Sequence, residues 1–136
     1  MTTVRPQRIL IVDDNLIVRE TLAQLLRAQG HDVITPDTGV NAFLALCDRS
    51  RPVGWLYARV VLPGLIDGWI LADAYHEMHE DRAVILSGAE ARVSAQGDIV
   101  LKQPTPRAVF DALHRAFASD EAAAFAAEPD DVRNVA

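Results

Sequence analysis

Arg8-Ile9-Leu10-Ile11-Val12-Asp13-Asp14-Asn15 sets four consecutive apolar side chains directly against two carboxylates. A short apolar run without polar alternation is the pattern of a strand buried on both faces, and the aspartates mark where it leaves the core at a sheet edge. Working outward, Val18, Leu22, Leu25 and Leu26 recur at helical spacing between Asn15 and Gln29, and Gly30 stands where a left-handed cap belongs. A buried strand that feeds an amphipathic helix at once is the opening of a strand-helix-strand unit.

The alternation continues along the chain. His31–Thr35 reads as a second strand, and Val40–Cys47, opened by Asp37 or Thr38, as a second helix carrying Phe43, Leu44 and Leu46. Trp55–Val61 is the third strand and ends at a Pro63-Gly64 turn. Asp67 caps a third helix to about His79, with Leu71, Tyr75 and Met78 on one face. Ala83–Leu86 and Ile99–Leu101 are the fourth and fifth strands. The small polar residues between Ser87 and Ile99 leave room for a stub of helix at most, so the helix expected there is shortened or missing. Thr105-Pro106 opens the last helix, with Val109, Leu113, Ala116 and Phe117 as its buried stripe.

Five strands alternating with helices through short connections predict an α/β fold, a doubly wound parallel sheet covered on both faces. The organisation expected is an N-terminal tail over 1–6, one domain over 7–118 and an acidic, alanine-rich tail over 119–136 that either prolongs the last helix or stays disordered.

Composition narrows the function classes. Half of the 136 residues are hydrophobic and 24% are charged, which suits one domain with its own core. The net charge is −6, and the tail beyond Ala118 accounts for −4 of it, so nothing suggests a nucleic-acid surface. No segment approaches the roughly 18 apolar residues of a membrane span, and Met1–Gln7 lacks the apolar stretch of a signal peptide. The single cysteine, Cys47, forms no internal disulfide and reads as a small buried hydrophobe. A reducing cytoplasm is the compartment expected. His31, His76, His79 and His114 are scattered over separate elements and suggest neither metal nor phosphotransfer sites. Trp55 and Trp69 read as core or rim packing.

In doubly wound sheets, ligands gather at the carboxyl ends of the strands. The residues just past those ends are Asp13 and Asp14, Arg59, Ser87 and Lys102. Taken with Ile9-Leu-Ile-Val-Asp-Asp-Asn15, Leu62-Pro-Gly-Leu-Ile-Asp-Gly-Trp69, Val84-Ile-Leu-Ser-Gly88 and Leu101-Lys-Gln-Pro104, the chain resembles the receiver domain of two-component response regulators over about residues 7–117.

The resemblance implies the flavodoxin-like strand order 2-1-3-4-5 and a place in phosphorelay signalling. It assigns Asp13 and Asp14 to a Mg2+-binding pair, Ser87 to the switch hydroxyl and Lys102 to the phosphate-sensing lysine. The acceptor aspartate fails. Its position falls on Arg59, and no Asp or Glu occurs between Asp48 and Asp67. Asp67 is expected to cap its helix rather than stand in. Arg59, always protonated, is expected to occupy the metal position and lock Asp13 or Asp14 by about 4 kcal/mol of attraction before desolvation.

Gln103 separates Lys102 from Pro104, so a trans Lys102–Gln103 bond is expected, or a cis bond moved to Gln103–Pro104. Ile99 stands where the family carries an aromatic toggle. The reading is thus a pseudo-receiver without enzymatic activity or cofactor that acts by protein contacts. A histidine kinase or another response regulator is the partner implied; nucleic acid and membrane are not, and a homodimer is left open. Two alternatives compete: an active receiver using another acceptor with Mg2+, and a flavodoxin-like electron carrier, whose phosphate would be repelled by Asp13-Asp14-Asn15.

Overall fold

The computed structural model describes residues 5–135, with side chains to Ala124. Residues 1–4 of the expected N-terminal tail lie outside the described residues. The element order is β1 (Arg8–Val12), α1 (Leu16–Ala28), β2 (Asp32–Ile34), α2 (Gly39–Cys47), β3 (Trp55–Arg59), α3 (Gly68–His76), β4 (Ile85–Gly88), β5 (Arg92–Val93), β6 (Ile99–Lys102) and α4 (Pro106–Val135). The strands lie in the order β2-β1-β3-β4-β6-β5. All pairs are parallel except β5 with β6.

The expected doubly wound order is therefore present, with β6 as its fifth strand, but the sheet has a sixth. No helix fills the link from β4 to β6. The chain folds back there instead, turning at Gly97 (φ 86°), where only glycine is unstrained. The two-residue β5 was not expected; ladder bonds to β6 satisfy backbone that the missing helix would have paired.

Side-chain alternation along β1 splits the core in two. Ile9 and Ile11 pack with Leu22, Leu26, Trp55, Tyr57, Leu113 and Phe117 under α1 and α4. Leu10 and Val12 pack with Leu46, Leu56, Leu71, Tyr75 and Leu86 under α2 and α3. On this second face, past β4, Trp69 is half-buried beneath the Arg92 guanidinium, 4.9 Å from its ring centroid.

The caps follow the sequence. Asn15, Thr38, Asp67 and Thr105 each accept a hydrogen bond from the backbone N–H three residues on. Two details depart from expectation, and one of two open alternatives is realised. Cys47 is exposed, because it ends the outer face of α2. The third helix stops at His76, where the Met78 and His79 N–H groups both turn back to the Tyr75 carbonyl, so Met78 leaves the buried face. The sequence beyond Ala118 continues α4 to Val135. No helix among the described residues is long and apolar enough to cross a membrane.

Candidate functional site

β1, β3 and β4 end side by side, with Val12 level with Ala58 and Arg59 level with Ser87. Their carboxyl ends open into a cleft of about 310 Å3 lined in part by Asp13, Tyr57, Arg59, Ser87, Gln103 and Pro104. Gly68 holds one wall of this end close: its N–H bonds the Val60 carbonyl at 2.9 Å, and a Cβ there would collide with the Arg59 carbonyl oxygen. Helix α3 therefore starts directly against the residue that ends β3.

Asp13 is buried, and both its oxygens are engaged. Oδ1 accepts the Asn15 N–H at 2.9 Å, and Oδ2 accepts the Tyr57 hydroxyl at 2.8 Å. Tyr57 also lies 3.0 Å from Ser87 Oγ. A phenol has one proton and a carboxylate accepts only, so the Tyr57 proton goes to Asp13 and Ser87 donates to Tyr57. Burial, reinforced by the Asp13 charge, raises the Tyr57 pKa and keeps that proton in place.

Arg59 donates from Nη1 to Asp14 Oδ1 at 2.9 Å, with both side chains more than two-fifths exposed. Only the expectation of a pair with Asp14 describes the geometry. An ion pair this exposed is worth about 0–1 kcal/mol rather than the roughly 4 kcal/mol expected of a sheltered one.

The cleft thus gathers Asp13, Arg59 and Ser87, with Asp14 at its rim. Lys102 ends β6, exposed, and does not line the cleft. Gln103 lines it instead, with a left-handed φ of 38° that is uncommon outside glycine, and its N–H bonds the Gly88 carbonyl at 3.0 Å. No cis peptide bond occurs among the described residues. Ile99 is partly buried against the α1–α4 core. Asp67 accepts the Ile70 N–H at 2.9 Å as the α3 cap.

Mg2+ would need hard oxygens free to ligate. Here each Asp13 oxygen already accepts one hydrogen bond, Asp14 faces a guanidinium, and no third carboxylate among the described residues joins them. A cation there would meet the Arg59 charge and find no cluster of three ligating side chains among the described residues.

Tyr57 and Gln103 were not foreseen. Tyr57 carries a signal in hindsight: it precedes Arg59 by two on one strand and so shares its face, and a phenol is long enough to reach the strand end. Gln103 carried none beyond breaking the Lys-Pro step. The histidines, scattered in sequence, meet in space. His31 and His114 touch through Nε2 at 3.3 Å, and His76 Nε2 bonds the buried Asp98 at 2.7 Å.

No family model matches the chain, and no curated protein matches it. Solved structures do. The receiver domain of the hybrid histidine kinase CckA is 25% identical at a TM-score of 0.64, covering 81% of this chain and 98% of that one. A response regulator described as putative, from Chloroflexus aurantiacus J-10-fl, is 26% identical at 0.66, covering 84% and 99%. A response regulator receiver protein from Sinorhizobium medicae WSM419 shares the fold at 0.69 with 18% identity, covering 84% and 96%. The chain has the fold of these receiver domains.

Proposed function

We propose that this receiver-type domain is a pseudo-receiver, a two-component signalling module that works through protein contacts and takes no phosphoryl group at the end of β3. Arg59 carries the reading. It is the last residue of β3, level with Ser87, and its guanidinium engages Asp14. Transfer to a carboxylate requires a carboxylate at that point and a cation free to neutralise the incoming group. The chain offers an arginine there instead.

Tyr57 adds a second obstacle, because one hydroxyl ties Asp13 and Ser87 together. A metal at Asp13 would compete with that bond and face the neighbouring Arg59 charge. Asp13, Asp14 and Ser87 are on this reading a vestige of the phosphorylation site, and Lys102 stands outside it. The role left is binding without catalysis or cofactor, and the partner class is another signalling protein such as a histidine kinase or a response regulator.

Incubation with acetyl phosphate and Mg2+ followed by intact-mass measurement tests this. No added phosphate is expected. A stoichiometric gain of one phosphate, mapped to Asp67 or Asp13, would overturn the reading in favour of an active receiver.

A further inference from the structure

His31 lies buried in the turn between α1 and β2, and His114 lies on α4. The partners of their other nitrogens fix where the protons are. The Gln7 backbone N–H, which can only donate, points at His31 Nδ1 from 3.0 Å, so Nδ1 carries a lone pair and Nε2 the proton. The Phe110 carbonyl, which can only accept, lies 2.9 Å from His114 Nδ1, so that nitrogen carries the proton and Nε2 the lone pair. His31 Nε2–H therefore donates to His114 Nε2, and a directed relay runs from Gln7 through both rings to Phe110. It closes only when both imidazoles are neutral.

The surroundings supply little to stabilise a charged ring. Phe117 sets its edge against His31, and Phe110 lies against His114 with ring centroids 4.1 Å apart. Charged groups on the adjoining elements are engaged elsewhere: Arg8 with Asp32, Arg27 with the Val33 carbonyl, and Arg107 with Asp111, while Arg115 lines the groove beside Asp81 and Asp120. Burial, then the neighbouring His114, holds the His31 pKa below the usual 6.5.

We propose that His31 and His114 form a proton-operated latch that fastens the β1–β2 side of the sheet to α4 and is opened by a single proton. A proton from water can add at the His114 Nε2 lone pair, which sets two N–H groups against each other across 3.3 Å. It can instead add at His31 Nδ1, which takes the acceptor away from the Gln7 N–H. Either event breaks the relay and loosens the root of the helix that continues to Val135.

A lowered histidine pKa means that the unfolded chain binds the proton first. The latch contributes fully above about pH 6.5, and its contribution is lost as pH falls from there toward the depressed value. His79, lowered by burial and by Arg82, adds a loss of the same sign, so a variant must separate the two.

Imidazole nitrogen NMR on the full chain, with the Gln7 amide followed through the same acid titration, is the test. Expected are an Nε2–H tautomer for His31, an Nδ1–H tautomer for His114, and a Gln7 amide that shifts with the His31 midpoint, below 6.5. His31→Gln should lessen the wild-type fall in melting temperature as pH drops below about 6.5, with the loss due to His79 remaining. An Nδ1–H tautomer at His31, a Gln7 amide unmoved by the titration, or a His31→Gln chain that loses as much as wild type would each overturn the latch. If that variant does not fold, the tautomers of the wild-type chain decide alone.

Discussion

The two ends of the sheet both carry polar networks, built to opposite plans. At the carboxyl end Asp14 and Arg59 meet in solvent, and Asp13 is held by the Tyr57 phenol and the Asn15 N–H at the edge of an open cleft. At the amino end Asp98 is 1% exposed and accepts both the Val84 N–H and His76 Nε2, tying α3 to the entries of β4 and β6. His76 Nδ1 lies 3.1 Å from the His79 carbonyl, so both ring nitrogens have partners. Arg82 stacks on Trp55 and bonds the Gly54 carbonyl and Asp120, which adds α4 to the same end. The amino end is thus a buried clamp, and the carboxyl end a buried Asp13–Tyr57–Ser87 set beside a cleft, with an exposed Arg59–Asp14 pair at its rim.

The largest effect should come from breaking the clamp. Asp98→Ala leaves the buried Val84 N–H and His76 Nε2 without their partner, and urea unfolding should show a loss of about 2–5 kcal/mol. Smaller is Tyr57→Phe, which frees Asp13 Oδ2 and Ser87 Oγ at a cleft that water can enter; about 1 kcal/mol is expected. Smallest is Asp14→Asn, with a change under about 1 kcal/mol that vanishes at high salt. A Tyr57→Phe loss as large as that of Asp98→Ala would erase the distinction between the two ends.

The same contrast decides what was legible in the sequence. Asp13, Asp14 and Ser87 follow apolar runs directly, so the rule that ligand sites gather past parallel strands locates them from the residues alone. Tyr57 escaped because a tyrosine inside an apolar strand reads as core. Its hydroxyl acquires a role only through the register that sets Tyr57 beside Ile85, two residues short of Ser87. The amino end was opaque throughout. His31 and His114 are 83 residues apart, and His76 and Asp98 are 22 apart, with no shared periodicity to join them. The hairpin at β5 was half legible: residues too few and too polar for a helix were visible, but the ladder to β6 was not.

On the proposed reading the carboxyl-end cleft holds its own side chains where a metal would sit, with Arg59 as the decisive residue. Four melts test it most directly: wild type and Arg59→Asp, each with excess Mg2+ or with chelator. Arg59→Asp removes the cation beside Asp14 and gathers three carboxylates, so the chelated variant should melt below wild type. Mg2+ at ten times its dissociation constant should then return about 1.4 kcal/mol to the variant, a shift of several degrees for a domain of this size. Wild type should be indifferent to Mg2+. A wild type that gains as much from Mg2+ as the variant does would contradict the claim and show the metal site to be intact beside Arg59.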